Sequence, residues 1–236
     1  MNFPQVVPPD FDENYRFLCR HAPPSLMYTE RVERICEVLE GYPYRTDPLG
    51  GGPRETEEFR VSLSFFDCVT FMESVMALAA TSRDQEFMNF LRHLRYRDGV
   101  VDYFHRCHYM TDWIEVNCAA GRVLRLSPAL VPERQWSRVL SAMPALDARP
   151  TVIHGWPKEA FRRVRPFIRS GDLVFFISLR KNLDYFHTGV LLRRHVHILL
   201  AHAGKSRGKV VIMPLAAFLK EHRMSGMTIV RPAAAM

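Results

Sequence analysis

The feature that most restricts how this chain folds is the run that begins Phe66-Asp67-Cys68-Val69-Thr70-Phe71-Met72-Glu73. After Cys68 the apolar residues Val69, Met72, Val75, Met76, Leu78 and Ala79 recur at helical spacing and cover most of the circumference. A helix apolar nearly all round has no face to give to water, so it belongs inside a core and other elements must enclose it. Its first turn is different. Helix N-termini carry unsatisfied N–H groups and the positive end of the dipole, which favour a thiolate over a thiol. Cys68 therefore sits where a nucleophile is activated, although a buried thiol in a core is the blander reading of the same residue.

The chain supplies enough material for such an enclosure. Its 236 residues are 47% hydrophobic and 24% charged, the balance of an ordinary globular protein. No run approaches the roughly 18 to 20 apolar residues of a membrane span. Met1-Asn2-Phe3-Pro4-Gln5 shows no basic segment followed by an apolar one, so the expected location is cytoplasmic unless the chain is trimmed or delivered by a secretion system. The formal charge of +7 comes from scattered arginines, such as Arg92, Arg95 and Arg97, rather than one basic block, and no nucleic-acid motif accompanies them. Five cysteines (Cys19, Cys36, Cys68, Cys107 and Cys118) form no CxxC pair, which points to reduced thiols and away from a zinc ribbon or a redox pair.

Taken in order, residues 1–24 read as an extended, proline-rich arm with a short helix around Glu13–Cys19. Ser25 or Thr29 is placed to cap a helix running to about Glu40, with Gly41 ending it. Residues Phe59–Leu63 alternate as a short strand, and Ser82-Arg83-Asp84-Gln85 has the spacing of a capping box ahead of a helix marked by Phe87, Phe90, Leu91 and Leu94. Residues 119–165, interrupted by prolines, read as an irregular insertion. From Ser170 the pattern turns to strands: Leu173–Ile177, Phe186–Leu192, Val196–His202, Lys209–Met213 and Met227–Val230, with a helix at Leu215–Glu221. The expected fold is α+β: helices first, then a mostly antiparallel sheet packed on the Cys68 helix, with residues 25–236 as a single domain.

A thiol nucleophile needs a base and a group to orient it. Among ten histidines, two are selected by strand geometry. If Phe186–Leu192 and Val196–His202 form a hairpin turning at Arg194-His195, paired residue numbers sum to 389 and His187 lies opposite His202 on one face. A satisfied core histidine is the alternative for His187.

Several motifs in a fixed order then carry a resemblance: Gly41-Tyr42-Pro43-Tyr44, the Cys68 helix start, Arg95-Tyr96-Arg97-Asp98-Gly99, Arg106-Cys107-His108-Tyr109-Met110-Thr111-Asp112-Trp113-Ile114, Ser170-Gly171-Asp172 and His187-Thr188-Gly189-Val190. Together they resemble the N-acetylmuramoyl-L-alanine amidase-like family of bacterial proteins, within the NlpC-type, papain-like superfamily. The resemblance implies a papain-like fold with Cys68 as nucleophile, His187 as base and His202 as the orienting residue. It implies that Tyr44 lies by the thiol and that Asp67, and with it Thr70, contacts substrate. Ala201-His202-Ala203-Gly204 lacks the serine expected after the family's His-Ala.

Arg106, His108, Tyr109, Asp112 and Trp113 fit two roles, lining a sugar-peptide groove or bracing the helices as a buried polar network. His105, Cys107 and His108 are too closely spaced to favour a shared metal ion, and no metal or cofactor is expected. The expected activity is cleavage of an amide bond in a muropeptide through a thioester. Transfer of the acyl group to another acceptor is the alternative, and a non-catalytic wall-binding module is a third reading.

Overall fold

The computed structural model describes residues 4–235; residues 1–3 of the expected N-terminal arm lie outside that range. The chain forms two compact units that are not simply consecutive. One comprises the residues up to Cys107 together with Ala201–Ile212, and the other His108–Leu200 with the stretch from Met213 to the C-terminus.

In the first unit, β1 (Gln5–Val6) pairs in parallel with β2 (Phe59–Arg60). Between them run α1 (Phe11–His21) and α2 (Tyr28–Leu39). The helix expected around Glu13–Cys19 is thus real but longer, and the strand expected over Phe59–Leu63 shrinks to two paired residues. Next come α3 (Cys68–Ala80) and α4 (Asp84–Arg95). All residues of α3 from Thr70 to Ala79 are buried, as its apolar circumference requires, and the helix packs against both α2 and α4.

The caps differ from those the sequence proposed. The residue ahead of α2 is Met27, neither Ser25 nor Thr29, and its N–H donates to the Glu30 carboxylate at 3.2 Å. At α4 the Glu86 carboxylate accepts from the Ser82 N–H at 3.1 Å, in place of the Ser82–Gln85 box. In both, a glutamate of the first turn accepts from a backbone N–H just ahead of the helix, and no hydroxyl caps either one.

Buried charges tie this unit together. Arg31, only 4% exposed, donates to the carbonyls of Ala22, Ala79 and Thr81. Two of those lie at the end of α3, where free carbonyls and the dipole favour a cation. Arg95 reaches Glu73 of α3 at 3.0 Å and the Arg60 carbonyl at 2.7 Å. The charge that α3 carries in its middle is therefore neutralised by the helix that follows it.

The second unit opens with α5 (Met110–Ala119) and β3 (Val123–Arg125). Residues 119–165, expected to be irregular, contain an antiparallel pair, β4 (Arg134–Leu140) and β5 (Arg149–Gly155), in register from Arg134↔Gly155 to Leu140↔Arg149. Pro144 falls in its connection and Pro150 in the outer strand of a two-stranded sheet, where a missing N–H is tolerated. A short α6 (Phe161–Val164) leads to β6 (Leu173–Ile177), β7 (Tyr185–Arg194) and β8 (His197–Gly204). Then follow β9 (Lys209–Pro214), α7 (Leu215–Glu221) and β10 (Gly226–Pro232).

The main sheet has the order β3-β10-β6-β7-β8-β9, with the division between units falling inside β8 and β9. β10 is antiparallel to β3 and β6, and β6 to β7. This mixed α/β fold with a mostly antiparallel sheet matches the expectation at that level.

The turn between β7 and β8 is His195-Val196, one residue later than expected, with His195 at φ 54°. A two-residue connection there makes paired numbers sum to 391, not 389. His187 and His202 are then not directly opposite, but a change of two preserves side-chain alternation.

Candidate active site

Cys68 is the first residue of α3 and its side chain is half-exposed, so the thiol is neither locked in the core nor on an open surface. The turn beneath it is held by reciprocal capping. The Asp67 carboxylate accepts from the Thr70 N–H at 2.7 Å and from the Thr70 hydroxyl at 2.8 Å, while the Asp67 N–H donates to that hydroxyl oxygen at 2.9 Å. Asp67 and Thr70, singled out as substrate contacts, therefore have each other as partners. The spacing Asp-x-x-Thr was the sequence signal for this arrangement. Burial raises the Asp67 carboxyl above the ordinary range, opposed by its bonds to Thr70 and by the Arg95 charge.

Tyr44 is brought to this helix start by backbone pairing. It forms a parallel bridge with Phe66, and its N–H donates to the Gly208 carbonyl at 2.9 Å. Its phenol is raised, first by burial and then by the negative charges of Cys68 and Asp67. A raised phenol keeps its proton near neutral pH.

His202, 4% exposed, belongs to the same unit as Cys68. A Cβ on Gly204 would meet its ring at 3.2 Å, a tight contact that would push on the imidazole. His187, in the second unit, is half-buried with its ring stacked at 5.5 Å on Phe218 and 6.2 Å from Phe176. Phe176, Phe218, Leu191, Ile198 and Leu200 belong to one core cluster, which fixes the face that His187 shares. Alternation along β8 carries His202 to the same side of that strand as Ile198 and Leu200.

The remaining residues are placed as follows. Arg106, in the first unit, donates to the Gly50 carbonyl at 2.9 Å and pairs with the buried Glu57 at 3.1 Å, fixing the glycine-rich loop. In the second unit the Tyr109 oxygen accepts from the N–H groups of Ala142 and Met143 at 2.8 and 3.0 Å. Asp112 pairs with Arg149, and Trp113 is fully buried with its ring 5.7 Å from that of Phe175. Such bonds are those of a bracing network. His108 is half-buried beside it. The same helix start is capped from far along the chain: Asp184 accepts from the Thr111 N–H at 2.7 Å and its hydroxyl at 2.6 Å. Sequence reading passed over Asp184 because nothing local links it to Thr111.

The architecture is shared with solved structures. An N-acetylmuramoyl-L-alanine amidase from Bacteroides uniformis aligns at 25% identity and a TM-score of 0.72, over 84% of this chain and 96% of its own. A Bacteroides fragilis protein with the provisional name xylanase aligns at 25% identity and a TM-score of 0.71, over 83% and 98%. Protein LPG0564 from Legionella pneumophila aligns at 17% identity and a TM-score of 0.80, over 94% and 93%, a likeness of fold alone. No curated protein matches the sequence. By fold the chain is thus of an amidase-like class. The family model described as N-acetylmuramoyl-L-alanine amidase-like matches residues 34–227, and the chain belongs to that family.

Proposed function

We propose that this protein is a cysteine amidase of papain-like architecture that cleaves an amide bond in peptidoglycan-derived muropeptides. The observation that carries the reading is Cys68, half-exposed as the first residue of a helix buried from Thr70 to Ala79, with a Tyr44 phenol that keeps its proton and responds to the charge of Cys68. Family membership and the amidase name of the Bacteroides uniformis protein support the same class of reaction.

In this mechanism the Cys68 thiolate attacks the carbonyl carbon, and the N–H at the helix start holds the oxyanion. His187 gives its proton to the leaving amine as the C–N bond breaks. It then takes a proton from water, which cleaves the thioester and returns the thiol. His202 fixes the orientation of His187. Stacking of His187 on Phe218 supports a ring held in one plane.

The test is digestion of defined muropeptides with mass-spectrometric readout. Cys68→Ala is expected to lower amide cleavage by more than about 10³-fold with an unchanged thermal midpoint. Full activity in that variant would refute the mechanism.

A further inference from the structure

A recess lies beside α3. It has a volume of about 320 Å³, near the lower end of the range for small-ligand sites. Thr70 and Ser74 contribute to its wall. At 100° per residue they stand roughly 200° and 240° round α3 from Cys68, so the recess is not the pocket into which the thiol itself projects.

The lining is unbalanced in charge. It contains Arg45, Arg60 and Arg95 and no acidic residue; the rest is mainly aliphatic or aromatic, including Leu49, Val61, Phe65 and Leu91. Two of the cations are already matched. Arg95 is paired with Glu73 at 3.0 Å, and Arg60 with Glu58 at 2.7 Å. Arg45 sits over the Phe65 ring at 4.5 Å and pairs with no carboxylate among the described residues.

We propose that this recess binds a small monocarboxylate with a short apolar body, its acid group on Arg45 and its body against Leu49, Val61 and Leu91. One uncommitted guanidinium matches one carboxylate, which it grips in a planar two-point contact. A ligand amine is disfavoured by the unmatched Arg45 guanidinium. The inference does not require the amidase reading, because the site needs neither the thiol nor the histidines.

The experiment therefore uses the Cys68→Ala protein, in which binding is separated from turnover. Isothermal titration compares N-acetyl-L-leucine with N-acetyl-L-leucinamide, in which a neutral carboxamide replaces the charged carboxylate. The acid is expected to bind at least about tenfold more tightly. Arg45→Gln, at an exposed position, should abolish that preference, and Arg45→Lys should keep part of it. Leu49→Trp, which narrows the recess from a half-buried loop, should weaken acid and amide alike. The site is overturned if neither compound binds, if the two bind equally, or if the preference survives Arg45→Gln.

Discussion

Asp67 sits immediately before Cys68 and controls both the helix start and its charge. As the cap of α3 it accepts two bonds from Thr70, and Asp67→Ala should cost about 1 kcal/mol in a denaturant titration. Asp67→Asn keeps an oxygen acceptor and should keep the cap. The two carboxamide and carboxyl forms part company with pH. Because burial raises the folded-state value above the ordinary 3.8, the folded protein binds a proton that the unfolded chain has already released. Wild-type stability relative to Asp67→Asn should therefore be highest below pH 3.8, fall as pH rises through the folded-state value, and then level off. A flat difference between acid and neutral pH would contradict the burial assigned to this carboxylate. Nearby, the ion pair of Glu73 and Arg95 has side chains 1% and 4% exposed. Removing one partner leaves a buried charge, so Arg95→Met should cost roughly 3–5 kcal/mol, while the double replacement Glu73→Leu with Arg95→Met should cost much less.

At the scale of elements, the helix-start cysteine was legible and the caps were not. The buried character of α3 follows from composition alone, because apolar residues fall on every side of the helix, Val69, Ala77, Leu78 and Met72 among them. Caps depend on which nearby groups the folded backbone brings together, and at α2 and α4 no hydroxyl caps the helix while Glu30 and Glu86 take the N–H groups of Met27 and Ser82. The β4–β5 pair was hidden for a related reason. Prolines 144 and 150 read as breakers, but a two-stranded sheet has outer positions that accept them. This pair also explains two glycines. A Cβ at Gly155 would lie 2.3 Å from the Met227 carbonyl oxygen, and one at Gly226 would lie 2.5 Å from that of Trp156. The two backbones approach where Trp156 and Met227 exchange hydrogen bonds of 2.8 and 2.7 Å. Gly155→Ala is therefore expected to destabilise by about 1–3 kcal/mol, seen as a lowered denaturation midpoint.

For the whole molecule, the path of the chain matters more than its length. The first unit is completed by Ala201–Ile212, which arrives after nearly a hundred residues of the second. Val210 of that segment is fully buried and bonded on both sides: its carbonyl accepts from the Gly41 N–H at 2.9 Å, and its N–H donates to the Tyr42 carbonyl at 2.8 Å. A fragment ending at Cys107 lacks this strand and should show weak near-ultraviolet circular dichroism and no cooperative thermal transition. Native-like spectra from that fragment would show that the unit does not need its late strand. The Tyr44 segment is bridged on its other side by Phe66, so loss of the strand also removes one of the two backbone contacts that hold Tyr44.

The sequence by itself determined the buried helix with a cysteine at its mouth, the strand-rich C-terminal half and the family. These rest on local periodicity and on motif order, both of which are written in consecutive residues. Only the tertiary structure decided that Asp67 and Thr70 hold each other, that Asp184 caps a helix more than seventy residues away, and that three scattered arginines share one recess. Each of those depends on groups that meet after the chain has folded, when the choice of partner is made by distance and burial rather than by spacing.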